Sequence, residues 1–252
     1  MVVPRTPVAR IAILGDEHSG YPSHIELNAA RRQLAADAAT TWVPTDASQA
    51  KDLSGFDGVW LAPGSPYAND ANVFAAIQRA RERNVPFLGT CGGLQYAVIE
   101  FFRQVLGKPL ASHAESDGID AGNVVTLMAC SVHGQEREVR PVPGTWFAEL
   151  TADRPFMGMH YCNYAPSADA IAELESAGMT VEALADDAGP EVLRLPTNSF
   201  YVLSLFQPQI GAVAGKPLHP LLLAFVRAAH ARDVKPDRWA TGSGPQGEYQ
   251  SL

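Results

Sequence analysis

One cysteine stands where a strand, a sharp turn and a helix are predicted to meet. The run Phe87–Gln95 reads FLGTCGGLQ, with an apolar strand pattern before Cys91 and two glycines directly after it. Glycines allow the backbone dihedrals of a tight turn and let a ligand approach the main chain. At a helix N-terminus the helix dipole and unpaired N–H groups favour the thiolate. The pattern predicts a nucleophilic cysteine; the alternative is a buried structural cysteine.

The elements around this turn follow a regular order. Up to Gly107, strand patterns alternate with helical patterns, which predicts a parallel sheet with helices packed on its faces. After Gly107 the pattern changes to antiparallel strands joined by loops, including one over residues 156–162, and a last helix over 220–232. We therefore predict one α/β domain over residues 1–232, with a mostly parallel central sheet and antiparallel additions. The Gly-, Pro- and Ser-rich tail over 233–252 is predicted to be loosely ordered.

Composition excludes several classes of function. The 252-residue chain carries a formal net charge of −8 and has no basic block, so neither nucleic acid nor an anionic membrane is an expected partner. It starts without a signal-peptide pattern and has no apolar run of bilayer length. Three cysteines, Cys91, Cys130 and Cys162, are too few for a disulfide framework and predict a cytoplasmic protein. Their spacing matches no zinc motif, so we expect neither a metal nor a cofactor.

The cysteine turn also resembles a known family. The run Gly89–Gly107, GTCGGLQYAVIEFFRQVLG, is similar to the nucleophile segment of class I glutamine amidotransferases, and most specifically to the glutaminase domain of CTP synthases. Further segments resemble the same domain: Arg10–Gly15, Phe56–Val59 with Pro63–Gly64, and His219–Phe225. The resemblance spans about residues 8–232 and implies a flavodoxin-like three-layer sandwich. The amidoligase half of CTP synthase and any P-loop are missing, so this chain alone is not a complete CTP synthase.

The catalytic residues of the family are only partly present. In the family, a strand delivers a histidine base and, two residues later, a glutamate that orients it. The matching positions, in the run LFQPQ, are Gln207 and Gln209. An amide takes up no proton near neutral pH, so glutamine hydrolysis is predicted to be lost or slowed by roughly 10²–10⁴-fold. His160 is a candidate replacement base and His113 is another; the alternative for His160 is a packed or surface histidine.

The oxyanion positions of the family are better preserved. By the resemblance, the backbone N–H groups of Ser65 and Gly92 would hold the negative charge that develops on a substrate oxygen. Gly64 precedes Ser65 in the same turn and is predicted to border the substrate. Pro66 replaces an aromatic residue that walls the pocket in the family, which implies a changed pocket shape.

The substrate-binding positions are also split. Gln95 and Glu115 match family residues that hold the substrate, and Glu115 can bind an amino group. The family arginine that binds the substrate carboxylate has no counterpart in the matching run His160–Tyr164. Because a carboxylate buried without a cation is costly, we expect an amino-acid-like ligand other than free glutamine held in the usual way. The alternative for Gln95 and Glu115 is a solvated helix face and a loop charge.

Three functions are compatible with these residues. The favoured one is a cysteine-dependent hydrolase or amidotransferase-like enzyme for a small amide-like or amino-acid-like substrate, in which Gln207, Gln209 or His160 positions water or substrate. The second is a catalytically silent binding or regulatory protein. The third is a glutaminase subunit completed by a synthetase partner, and a homodimer is also compatible. A redox pair of Cys91 with Cys130 or Cys162 stays open, because sequence does not fix distance.

Overall fold

The computed structural model describes residues 8–118, 122–129, 131–186 and 189–232. Within these ranges the elements follow in the order β1 (Ala9–Leu14), α1 (Pro22–Leu34), β2 (Ala38–Val43), β3 (Gly58–Leu61), α2 (Asp70–Glu82), β4 (Phe87–Thr90), α3 (Gly92–Gln104), β5 (Ser112–His113), β6 (Asn123–Leu127), β7 (Gln135–Pro141), α4 (Trp146–Leu150), β8 (Phe156–His160), β9 (Tyr164–Pro166), α5 (Ala168–Ser176), β10 (Thr180–Ala185), β11 (Gly189–Arg194), β12 (Tyr201–Ser204) and α6 (Pro220–Ala231). The tail over 233–252 and Cys130 lie outside the described residues.

A large sheet organises the molecule. Its strand order, within the described residues, is β2-β1-β3-β4-β12-β11-β10-β7-β8. The first five strands in this order run parallel to their neighbours, and the remaining pairs are antiparallel. A smaller sheet, β5-β6-β9, lies apart from it. The predicted parallel sheet with antiparallel additions is therefore confirmed.

Both faces of the large sheet are covered, as the apolar runs of its parallel strands require. Alternate residues of β1 point to opposite faces. Ile11 and Ile13 pack in the cluster that contains buried residues of α1 and α6. Ala12 and Leu14 pack in the cluster that contains buried residues of α2, α3 and α5. The predicted three-layer sandwich is confirmed.

Polar side chains cap the first turns of two helices. Helix α2 begins at Asp70 and is capped by Asn69, whose side-chain oxygen accepts the Asn72 N–H at 3.0 Å. Helix α6 is capped by His219, whose Nδ1 accepts the Leu221 N–H at 3.1 Å.

The antiparallel half differs from the prediction in two places. Strand β8 ends at His160, so Cys162 lies in the loop between β8 and β9 and not in a strand. Strand β10 was missed because register shifts on either side of Ala183 interrupt its alternation of buried and exposed residues. Among the described residues, no helix is long and apolar enough to cross a bilayer.

Candidate active site

The predicted site residues meet at one edge of the parallel half. Because β3, β4 and β12 are parallel neighbours, their carboxyl ends lie side by side, where open α/β sheets bind ligands. The segments that follow these strands carry Ser65, Cys91 and Gln207. A cavity of about 430 Å³ opens at this edge. It is lined by the predicted residues Gly64, Ser65, Cys91, Gln95, Glu115 and Gln207, and also by Cys162.

Cys91 occupies a strained turn between β4 and α3. Its φ of 54° and ψ of −111° lie outside the regions that a side chain favours, and such residues cost about 1–3 kcal/mol each. The turn is held on both sides: the Cys91 N–H donates to Ser204 O at 2.8 Å, and the Cys91 carbonyl accepts the N–H groups of Leu94 and Gln95. The sulfur is therefore fixed at the N-terminus of α3.

Glycine is required at the two positions after Cys91, because atoms of neighbouring segments approach the backbone too closely for a side chain there. A Cβ atom on Gly93 would come within 2.5 Å of Leu61 O, the carbonyl at the end of β3. A Cβ atom on Gly92 would come within 2.5 Å of Ser65 Oγ. Glycine at both positions thus brings the turn after β3 against the cysteine turn, and this contact places the two predicted oxyanion residues together.

The predicted oxyanion donors have no oxygen acceptor among the described residues. In the part of the chain that the structure describes, neither the Ser65 N–H nor the Gly92 N–H donates to an oxygen atom. The turn that presents Ser65 is supported by His24, a residue that the sequence analysis did not identify. His24 Nε2 donates to Pro63 O at 2.7 Å while its Nδ1 accepts the His18 N–H, and burial lowers the pKa of His24. Both contacts fit a neutral imidazole.

Gln207 and Gln209 form a buried pair beside the thiol. Gln209 Nε2 donates to Gln207 Oε1 at 2.9 Å and to Ser23 O at 3.3 Å. Gln207 Nε2 has no hydrogen-bond partner among the described residues, and it lies near enough to Cys91 to help lower the pKa of that thiol. Gln209 thus orients Gln207, but the group that Gln207 presents is an amide N–H donor and not a base.

The surroundings of Cys91 favour its thiolate. Three donors lower the pKa of Cys91: the thiol of Cys162 first, then the Gly92 N–H and the Gln207 amide; together they outweigh burial. The pKa of Cys162 is raised, because its thiol donates to Cys91 and is itself buried. Negative charge in this pair of thiols therefore resides on Cys91.

Gln95 is fixed by contacts on both ends of its amide. Its Nε2 donates to Tyr164 O at 2.7 Å, while its Oε1 accepts from Ser65 Oγ at 3.3 Å and from His113 Nε2 at 3.1 Å. The side chain is 1% exposed, so the alternative of a solvated helix face is wrong for Gln95. Glu115 does lie at the exposed rim of the cavity, and partial desolvation raises its pKa.

His113 links these two residues. It donates through Nε2 to Gln95, and its Nδ1 accepts the Glu115 N–H at 3.1 Å. Only the neutral ring with its proton on Nε2 satisfies both contacts. Burial lowers the pKa of His113 to about 4, in keeping with that form. Both ring nitrogens are engaged, so the geometry gives His113 a positioning role and no free nitrogen for proton transfer to Cys91.

His160 lies behind the cavity and does not line it. The ring is fully buried, and its Nε2 contacts both carboxylate oxygens of Glu191 at 2.9 Å. Glu191 also accepts the Phe206 N–H at 3.2 Å, and sequence reasoning did not identify it. The Nδ1 of His160 has no hydrogen-bond partner among the described residues. This geometry offers no support for His160 as the base for Cys91.

The cavity carries little charge. Glu115 is the one carboxylate in the described lining of the cavity, and this lining includes no lysine or arginine. Where the family arginine is expected, Tyr161, Cys162, Asn163 and Tyr164 line the wall. Among the described residues, no group of three or more His, Cys, Asp or Glu side chains is arranged to hold a metal ion. The site therefore combines a cysteine, the two backbone N–H groups predicted to bind an oxyanion, and one carboxylate.

Comparison with known proteins identifies the family of this chain. The model of the family "Glutamine amidotransferase class-I" matches residues 22–198. CTP synthase of Staphylococcus aureus (strain JH9) is 28% identical over 232 residues, which are 84% of this chain and 40% of that protein. The chain thus spans about two fifths of the length of the curated relatives it matches.

Solved structures share the fold. The glutaminase domain of Trypanosoma brucei CTP synthase, solved with bound acivicin, superposes with a TM-score of 0.75 at 23% identity, covering 90% of this chain and 95% of that one. A glutamine amidotransferase from Thermotoga maritima gives a TM-score of 0.54 at 15% identity, covering 87% and 81%. With its α/β sandwich, its cysteine turn and the family match over most of its length, this chain belongs to the class I glutamine amidotransferases and resembles the glutaminase domain of CTP synthase.

Proposed function

We propose that this protein is a cysteine-dependent hydrolase or amidotransferase-like enzyme for small amide-like or amino-acid-like substrates, and that ordinary glutamine hydrolysis is lost or weak. The observation that carries the proposal is the arrangement around Cys91. Cys91, whose pKa is lowered, faces a cavity, and the neighbouring Ser65 and Gly92 N–H groups have no oxygen acceptor among the described residues. The Gln207–Gln209 pair argues against glutamine hydrolysis, because it cannot take up the proton that this reaction must move.

The chemistry follows from what each group can do. Cys91 attacks the carbonyl carbon of the substrate, a C–S bond forms, and the carbonyl oxygen takes up the electron pair. The N–H groups of Ser65 and Gly92 stabilise that oxygen. The leaving group then departs with the C–O or C–N bond electrons and leaves an acyl-thioester on Cys91. An amine leaves only after protonation, whereas an alcohol or phenol needs less help, so we expect esters and activated amides to react faster than plain amides.

The lining also limits the substrate. A carboxylate would find no cationic side chain in the described wall, whereas an amino group would find Glu115. We therefore propose a small carbonyl compound that bears an amine and lacks a free carboxylate, such as an amino-acid ester or amide. Gln95, held by three hydrogen bonds, would orient the polar backbone atoms of this substrate.

The test begins with the thiol. The rate of alkylation by iodoacetamide is measured against pH, and the modified peptides are mapped by mass spectrometry, with Cys91→Ser as control. We expect Cys91 to react at neutral pH, well below the pKa of about 8.5 of a free cysteine, while Cys162 stays inert. Incubation with p-nitrophenyl esters of amino acids should then give a burst of one nitrophenol per Cys91 and a thioester adduct.

Two other outcomes identify the alternatives. An unreactive Cys91 that titrates like a free thiol would contradict the enzyme proposal and favour a binding or regulatory protein on the same scaffold. Glutamine hydrolysis that appears only when a synthetase is added would favour a glutaminase subunit completed by its partner. In both cases Gln95 and Glu115 keep their role in ligand binding, which isothermal titration with amino-acid amides measures.

A further inference from the structure

A second thiol lines the same cavity, and the reaction proposed above does not use it. Cys91 is 6% exposed and Cys162 is 8% exposed, and both belong to one cluster of packed buried side chains. They come from different segments, the turn after β4 and the loop between β8 and β9. Each thiol shifts the pKa of the other, that of Cys91 down and that of Cys162 up, so the two side chains lie near each other. The fold therefore places two cysteines, 71 positions apart in the sequence, on the wall of one cavity.

The environment of this pair favours particular electrophiles. The neighbours that lower the pKa of Cys91 are hydrogen-bond donors, namely Cys162, Gly92 and Gln207, and among the described residues no imidazole or carboxylate is hydrogen-bonded to either thiol. A thiolate without a neighbouring base is best suited to reactions in which no proton has to be removed from the attacking or attacked group. The attack of a thiolate on the oxygen of a hydroperoxide is such a reaction.

We propose that Cys91 and Cys162 form a peroxide-reducing dithiol pair, with Cys91 as the attacking cysteine and Cys162 as the resolving cysteine. The proposal shares its nucleophile with the proposed function, but it adds a different substrate and requires a second residue. The acyl chemistry has no step that needs Cys162.

Two steps oxidise the pair. In the first, the Cys91 sulfur attacks the terminal oxygen of a hydroperoxide, an S–O bond forms, the O–O bond breaks, and the released alkoxide leaves as an alcohol with a proton from solvent. Cys91 becomes a sulfenic acid. In the second, the Cys162 sulfur attacks the Cys91 sulfur, an S–S bond forms, the S–O bond breaks, and hydroxide leaves as water with the thiol proton of Cys162.

A dithiol reductant completes the cycle, because it returns both cysteines to thiols and becomes a disulfide itself. The loop position of Cys162 makes the second step possible. The two sulfurs must approach to about 2.05 Å, and Cys162 lies outside the ladders of β8 and β9, so this approach breaks no strand pairing. The Ser65 and Gly92 N–H groups lie beside Cys91, where they would bind the departing alkoxide.

The experiment uses the full chain carrying Cys130→Ser, which removes the remaining thiol. The protein is treated with one equivalent of hydrogen peroxide, unfolded in urea so that buried thiols can be alkylated, digested without reductant and mapped by mass spectrometry. We expect one intramolecular Cys91–Cys162 disulfide that dithiothreitol reverses. With Cys162→Ser added, dimedone should label a sulfenic acid on Cys91, and turnover of peroxide with dithiothreitol should fall by about tenfold or more. With Cys91→Ser, Cys162 should stay alkylatable.

Several results would overturn the proposal: both cysteines remaining alkylatable after peroxide, Cys91 passing to sulfinic acid without a disulfide, or Cys162 oxidising equally fast in the Cys91→Ser variant. The first two are read on chains that keep both cysteines, so they do not depend on how a Cys162 variant folds. Ester acylation without disulfide formation contradicts this inference alone, and disulfide formation without acylation contradicts the proposed function alone. Failure of both shows that Cys91 is not a nucleophile.

Discussion

Two buried polar pairs lie close together and differ both in their ability to accept a proton and in their position relative to the cavity. Gln207 lies beside the thiol and Gln209 is hydrogen-bonded to Gln207, but neither amide can accept a proton, whereas His160 and Glu191 form the imidazole–carboxylate pair that a base requires but do not line the cavity. One backbone segment joins them: the Phe206 N–H donates to Glu191, and the next residue, Gln207, donates its N–H to Met159 O. The His160–Glu191 pair therefore supports the strand end that presents Gln207.

The comparison separates residue type from position. An imidazole paired with a carboxylate is chemically able to move protons, yet behind the cavity it serves to hold backbone. An amide pair has no such ability, yet in the function proposed above its position beside Cys91 decides which reactions this cysteine can complete. The chemistry of this site is thus set by the side chains that reach the sulfur, and a count of histidines and acids in the chain does not reveal it.

The largest expected effect comes from placing an imidazole–carboxylate pair beside the thiol. In Gln207→His with Gln209→Glu, a base and its orienting carboxylate would stand beside Cys91. Hydrolysis of amino-acid esters should rise by up to about 10²–10⁴-fold, the usual contribution of general acid–base catalysis. Steady-state kinetics measures this gain, and Gln209→Glu alone is the control, because a carboxylate without a base should give no gain. Equal rates in both variants would show that proton transfer does not limit this site.

The second effect tests the supporting pair. In Glu191→Ala, His160 and the Phe206 N–H lose their buried partner, which should lower the free energy of unfolding by about 3–5 kcal/mol. Urea denaturation measures the change. Glu138→Ala, which removes an exposed glutamate from strand β7, is the control and should cost less than about 0.5 kcal/mol. A small effect of Glu191→Ala would mean that the pair contributes no support.

A third effect concerns His113, the buried histidine on the cavity side. Its pKa falls from 6.5 to about 4 on folding, so the unfolded chain takes up a proton that the folded chain does not. Stability should therefore fall as the pH drops from about 6.5 to 4, by about 3 kcal/mol from this residue. Urea midpoints at several pH values measure the slope. The slope should be shallower in His113→Gln, and an unchanged slope would assign the loss to other groups, such as His219 with its pKa also near 4.

The smallest effect isolates the amide at the thiol. Gln207→Leu removes an amide that helps lower the pKa of Cys91 and keeps the side-chain size, so alkylation of Cys91 at pH 7 should slow by about tenfold, because a smaller fraction of the thiol is ionised. Gln209→Leu, which leaves Gln207 in place but unoriented, is the matched control and should slow it less. Identical rates in all three proteins would show that Gln207 does not stabilise the thiolate.

The parts of the site that the sequence allowed us to predict are local. The cysteine turn follows from a strand, glycines and a helix within nine residues, and the replacement of histidine and glutamate by Gln207 and Gln209 follows from a short frame around Pro208. The parallel half of the sheet follows from short apolar runs between helices. Each of these signals lies within one segment, where spacing and residue type determine the structure.

The parts that could not be predicted are contacts between distant segments. Nothing near Glu191 indicates that it meets His160, because the two residues are 31 positions apart and lie on strands that are not neighbours in the sheet. The contact of Cys162 with Cys91 was one of two open alternatives, and its loop follows a strand that ends two residues earlier than the pattern indicated. Three-dimensional packing decides both.

The backbone of Cys91 has a consequence for the whole protein. A turn that holds a side chain at φ 54° and ψ −111° keeps the fold about 1–3 kcal/mol above a relaxed chain, in a molecule whose total margin is of the order of 5–15 kcal/mol. The surrounding hydrogen bonds therefore do more than position a sulfur, because they also keep the backbone of Cys91 from relaxing into an unstrained conformation. Substitutions meant to raise the melting temperature should be made at exposed positions and not in this turn. Relief of the strain at Cys91 would stabilise the fold but would also displace the sulfur from the position that the proposed reactions require.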